Sequence, residues 1–127
     1  MRLANIAVGA VLRSPIRGLL SRTTLLVRYE GRRSGRRVTT PTQYARVGND
    51  LVIMVGGAGT KSWWRNFREE HRLDVLLDGE WQPRLGLALR GPAEAAAIEP
   101  LLAGYLAACP RMRAEDGVVT MVRCRPA

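Results

Sequence analysis

The chain has 127 residues, 46% of them hydrophobic, which excludes general disorder and allows one packed core without metal or disulfide support. Its two cysteines, Cys109 and Cys124, and its single histidine, His71, cannot alone supply four zinc ligands, and a reduced, cytoplasmic protein is expected. The formal charge of +9 is unevenly placed: residues 1–47 hold ten arginines and one acid, Glu30, whereas residues 48–127 balance ten basic residues against ten acids.

The apolar run over 3–12 is too short to span a bilayer and is interrupted by Arg13, Ser14 and Pro15. It is expected to form a helix packed on the domain; a second reading is an interfacial helix in weak contact with anionic lipid, since Arg2, Arg13, Arg17 and Arg22 surround it. Ser14-Pro15, a cap followed by a first-turn proline, starts a further helical segment to about Ser21. Branched and aromatic residues predict a strand over 23–29, a turn over 30–36 and a second strand over 37–46, in which Pro41 removes a ladder donor and marks an edge or a bulge. After the turn at Gly48-Asn49-Asp50, residues 51–55 form a third strand, followed by the flexible loop Gly56-Gly57-Ala58-Gly59.

Ser62 then caps a short helix, "WWRNFREE", ending near His71. Strands over 72–77 and 80–90 flank Asp78-Gly79, a favoured two-residue hairpin turn. Pro92 opens an alanine-rich helix to Ala108, kinked or broken at Pro100, and a strand over 118–125 closes the sequence. Six or so mostly antiparallel strands with N-terminal, central and C-terminal helices make an α+β fold, and a sheet of this size curls into a small barrel to remove its edges. No repeat or long linker divides residues 1–127, so one domain is expected.

The turn concentrates Arg32, Arg33, Arg36 and Arg37 around Ser34 and Gly35. Several planar donors in one small volume suit phosphate or a polycarboxylate, with the N–H groups of Gly31, Ser34 and Gly35 exposed between them. The plain alternative is a solvated basic turn. Nucleic acid is disfavoured, because the cluster is compact, has only Tyr29 and Tyr44 as nearby aromatics and carries no nucleic-acid-binding signature. A second anion-friendly feature is Lys61, the only lysine, just ahead of the tryptophan helix. In that helix Trp63 and Phe67, at i and i+4, share a face; the plain reading is a helix anchored by its aromatics in the barrel mouth, and the functional one is that one tryptophan borders a flat ring while Asn66 holds the loop by hydrogen bonds.

Conventional catalytic groups are scarce. His71 reads as a surface residue at a helix end, Ser34 and Ser62 lack a nucleophile elbow, and Cys109 and Cys124 read as buried thiols. If the protein is an enzyme, a bound cofactor must supply most of the chemistry.

Taken together, "LRSPIRGLLSR", "GRRSGRRVTTPTQYARVGNDLVIM", "KSWWRNF" and the closing alanine-rich helix and strand resemble the deazaflavin-dependent nitroreductase and quinone reductase family, of the flavin-reductase split β-barrel group. The resemblance covers nearly the whole chain. It implies binding of 8-hydroxy-5-deazaflavin (coenzyme F-420) and hydride transfer from its reduced form to a quinone, nitroaromatic or other activated small-molecule acceptor. By position, Arg32, Arg33, Ser34, Gly35 and Arg36, with Arg37 beside them, match the turn that binds the phosphate and glutamate tail. Thr40 and Pro41 match the strand against which the ring lies, Val55, Gly56 and Gly57 the loop after the third strand, and Trp63 and Asn66 the helix beside the cofactor; Lys61 is the residue that could compensate for a lysine lost from that loop. The chain departs from the family pattern at Val38, where an arginine is common, and at Gly56-Gly57, where a Ser-Lys pair is common. The alternatives are flavin mononucleotide, which related split barrels bind, and a non-catalytic carrier of the deazaflavin.

Overall fold

A computed structural model describes residues 24–109 and 118–127. The helices expected before residue 23 therefore lie outside the described residues. Seven strands occur: β1 (Thr24–Glu30), β2 (Arg37–Gln43), β3 (Ala45–Val47), β4 (Asp50–Met54), β5 (His71–Leu77), β6 (Glu80–Arg90) and β7 (Thr120–Pro126). All neighbours pair antiparallel, in the order β2-β1-β5-β6-β7-β4-β3.

The two edge strands, β2 and β3, are separated in the chain by one residue, Tyr44. One residue spans only about 3.5 Å, so the sheet must curl until its edges meet. This explains why the single strand expected over 37–46 is two: at Tyr44 the chain leaves β1 and pairs with β4 instead. Pro41 sits opposite Leu26 on the edge strand β2, where its missing N–H leaves no inner ladder incomplete. At the β5–β6 hairpin Asp78 and Gly79 have φ of 53° and 82°, the two positive values that a type I′ turn requires.

Alternation places Leu25, Val27 and Tyr29 of β1, Leu51 and Ile53 of β4, and Leu73, Val75 and Leu77 of β5 inside the curl, in one buried core. Phe67 plugs this core beside Gly86, where a Cβ would stand 2.7 Å from the Phe67 Cδ1, so β6 needs glycine there. Outside, the helix α1 (Ala95–Ala108) lays Ile98, Leu101 and Tyr105 on Ala45, Val52, Met54, Leu89 and Met121. α1 runs unbroken through Pro100 and begins at Ala95 rather than Pro92. Its burial of one face outweighs the hydrogen bond that proline cannot make.

The central helix also differs from the sequence reading. Only residues Trp63–Phe67 are helical, as a 3₁₀ turn, and His71 already belongs to β5. Ser62 makes no side-chain cap bond; the indole N–H of Trp64 fixes the segment instead, donating to the carbonyls of Ala58 at 3.0 Å and Lys61 at 2.9 Å. A period of three residues puts Trp64 and Phe67 on one buried row, as the curled sheet requires.

Candidate functional site

The β1–β2 turn is built by its own backbone. Gly31 N–H donates to the Arg36 carbonyl at 2.8 Å, Gly35 N–H to the Gly31 carbonyl at 2.9 Å, and Arg36 N–H to Ser34 Oγ at 3.1 Å. Gly35 has φ of 68°, and a Cβ on Gly31 would stand 2.7 Å from Ser34 Oγ, so both glycines serve the turn's tightness. The N–H groups of Gly31 and Gly35, expected to face an anion, are thus used within the turn. What the turn presents outward is guanidinium.

Asn66 docks this turn on the 3₁₀ turn. Its Oδ1 accepts the Arg32 N–H at 2.9 Å while its Nδ2 donates to the Trp63 carbonyl at 2.8 Å. A second tie is the Arg32–Glu69 ion pair at 3.1 Å, in which Glu69 is 82% exposed and readily displaced. Between the two turns lies a cleft of about 1000 Å³. Arg32, Arg33 and Ser34 form part of its wall, and Ser62, Trp63, Arg65, Asn66 and Arg68 another part. Tyr29, Val38, Trp64 and Arg90 add to it, so among the described residues five arginines and no acid line the space. Burial raises the Tyr29 pKa, which keeps its phenol a neutral hydrogen-bond donor.

Of the residues singled out in the sequence, Arg32, Arg33, Ser34, Trp63 and Asn66 come together here. The others lie elsewhere. Gly35 and Arg36 are exposed on the turn, and Arg37 lines a separate hollow of about 310 Å³ with Arg28, His71 and Asp74. Thr40 and Pro41 are half-buried on β2, and Val55 is buried in the core with its N–H bonded to the Thr120 carbonyl at 2.8 Å. Gly56 and Gly57 are half-buried in the loop, where Gly57 has φ of 63°; Lys61 is exposed and contributes its carbonyl to Trp64.

Sequence reading missed Arg65, Arg68 and Arg90. The three-residue spacing of Ser62, Arg65 and Arg68 carries the signal, but it becomes visible only once the segment is known to be 3₁₀ rather than α. His71 is not at a helix end: its Nε2 lies 2.7 Å from the Glu30 carbonyl, at the start of β5. Cys124 is fully buried and its thiol is pushed up to about 12 by that burial; Cys109 is half-buried. No described helix is long and apolar enough to cross a membrane. Among the described residues no group of three or more His, Cys, Asp or Glu side chains could hold a metal ion.

The model of the F420H(2)-dependent quinone reductase family matches residues 9–104. No curated protein matches the sequence. Among solved structures, a domain-swapped dimer superposes with a TM-score of 0.56 at 16% identity, over 82% of this chain and 81% of that one. A protein of unknown function from Agrobacterium tumefaciens gives 0.52 at 22% identity, over 91% of this chain and 56% of that one. A putative pyridoxamine 5'-phosphate oxidase from Listeria innocua gives 0.52 at 13% identity, over 91% and 93%. These likenesses establish the fold, a curled antiparallel split barrel. The chain belongs to the F420H(2)-dependent quinone reductase family, a family of oxidoreductases whose cofactor is the deazaflavin F420.

The residues of the cleft fit that coenzyme. Its volume is at the upper end of ordinary ligand sites, which run to about 1000 Å³, and an arginine-rich wall without an acid suits a molecule with an anionic tail. The half-buried Trp63 supplies flat apolar surface beside it.

Proposed function

We propose that this protein transfers hydride from reduced deazaflavin to a small quinone or nitroaromatic acceptor, holding the coenzyme's tail at the β1–β2 turn. The observation that carries this reading is the joint made by Asn66, which sets the arginine turn and the tryptophan turn on two sides of one cleft. When bound, the coenzyme supplies the hydride chemistry; the protein's part is binding, orientation and exclusion of water.

In this reading Arg32 and Arg33 pair with the phosphate and carboxylates of the tail, and Glu69 gives up Arg32 as they arrive. Trp63 borders the ring, and Tyr29 offers a neutral donor at the cleft. Arg36 and Arg37 add positive potential from the turn's outer side, which speeds encounter with an anion without touching it. Among the described residues that line the cleft there is no acid to repel the tail's charges.

The test is a fluorescence titration of the purified protein with the oxidised coenzyme, with its tail-less ring fragment and with flavin mononucleotide. The proposal expects the tailed coenzyme to bind at least about a hundredfold more tightly than the ring fragment, the scale of two lost charge-assisted contacts. Equal binding of the two would remove the turn from the site. Preference for flavin mononucleotide would make the protein a flavin-dependent member of the same fold.

A further inference from the structure

Three guanidinium groups surround one indole in the cleft. The Cζ atoms of Arg65, Arg68 and Arg90 lie 5.3, 5.6 and 5.2 Å from the centroid of the Trp64 ring. Trp64 is only 3% exposed and its N–H is committed to two carbonyls, so the ring backs the arginines rather than offering a surface to a ligand. Among the described residues neither Arg65 nor Arg68 pairs with a carboxylate. Like charges gathered round one ring repel, and for Arg65 and Arg68 attraction to the indole face offsets only part of that.

The arrangement is separate from the arginine turn. In the 3₁₀ turn, side chains three apart eclipse, which makes Ser62, Arg65 and Arg68 one row and Trp63 with Asn66 the next. The β1–β2 turn docks on the second row, through Asn66. The first row is left to the cleft, with Arg90 brought to it by the end of β6.

We propose that Arg65, Arg68 and Arg90 form a second anion subsite, which takes the negatively charged group of the electron acceptor. Acceptors carrying a carboxylate, sulfonate or ionised hydroxyl are then preferred to neutral quinones, because a planar guanidinium offers paired donors that such oxygens match. Assigning this anion to the acceptor rests on the reading that Arg32 and Arg33 hold the coenzyme's tail.

The test uses naphthoquinone sulfonate and unsubstituted naphthoquinone, titrated calorimetrically into the protein without coenzyme. Wild type is expected to prefer the sulfonate by about tenfold, the Arg65→Gln/Arg68→Gln protein by about twofold or less, and the Arg32→Gln/Arg33→Gln protein by nearly the wild-type factor. Arg90→Gln alone should lower the preference by about threefold and, like the exposed pairs, is checked for native circular dichroism. No preference in wild type, or a preference lost with Arg32 and Arg33 but kept without Arg65 and Arg68, would overturn the proposal. A coenzyme titration separates it from the functional reading. If Arg65→Gln/Arg68→Gln weakens the coenzyme as much as Arg32→Gln/Arg33→Gln does, the row belongs to the coenzyme and the subsite is wrong while the reductase reading stands. If wild type binds no coenzyme, the reductase reading falls, and the sulfonate preference of the protein alone still decides whether the subsite exists.

Discussion

On the outer face of β4 and β7, α1 lays Ile98, Leu101 and Tyr105 against Val52, Met54 and Met121, and each of these side chains is buried among apolar neighbours. At the cleft, the described residues of the wall include five arginines and no acid. The first region is held by removal of hydrocarbon from water and gains nothing from a ligand. The second gathers like charges, a cost that an arriving anion offsets. Stability and binding are therefore written in different parts of the molecule, and substitutions should separate them.

The largest effect is expected under α1. Tyr105 is fully buried, and Tyr105→Ala should cost about 3–5 kcal/mol in urea unfolding, the range for deleting a large core side chain, while any protein that remains folded keeps its anion preference. Conversely, Arg32→Ala with Arg33→Ala should weaken the coenzyme about a hundredfold, or about 2.7 kcal/mol, and move unfolding by less than about 0.5 kcal/mol. A large stability loss in the arginine variant would show that the turn is part of the scaffold and would break the contrast.

Asn66 lies on the boundary between the two. Asn66→Ala removes the tie from the Arg32 N–H to the Trp63 carbonyl, so both readouts should move modestly: about tenfold in coenzyme affinity and about 1 kcal/mol in stability. Affinity unchanged within error would mean that the two turns hold their places without it.

The smallest effect concerns pH. Arg125 donates to both carboxylate oxygens of Glu70, at 2.8 and 2.9 Å, and this hydrogen bonding holds the Glu70 carboxyl below the usual carboxylate range. A depressed carboxylate stabilises the fold above its unfolded value and loses that contribution as pH falls through the folded one. Wild type should therefore lose slightly more melting temperature than Glu70→Gln on going from pH 6 to about pH 3, the difference being small because the pair lies at the solvent-exposed surface. An identical acid profile in the two proteins would make the pair irrelevant to folding.

The parts legible in the sequence were those fixed by local chemistry. Asp78-Gly79 set the hairpin, Pro41 marked an edge or a bulge, and branched and aromatic residues marked the strand that is β1. What could not be read depended on partners distant in the chain. The strand break at Tyr44 exists because β4 competes with β1 for the chain, and the 3₁₀ turn exists because the curled sheet wants Trp64 and Phe67 on one row. The arginine turn was visible as a cluster, but the N–H groups of Gly31, Gly35 and Arg36 are spent within it, and the docking of Asn66 on the Arg32 N–H sets the turn against the cleft. Arg90 carried no signal at all, because nothing near it in sequence points to Trp64.

The central claim is that the guanidinium groups of Arg32 and Arg33 hold an anionic coenzyme tail. It is tested most directly by the affinity of wild type and of Arg32→Ala/Arg33→Ala for the oxidised coenzyme at low and at high salt. The account predicts a wild-type affinity that falls steeply with salt, because the contacts are exposed ion pairs, and a variant that is weak at low salt and much flatter in its dependence. Equal affinity and equal salt dependence in the two proteins would contradict it.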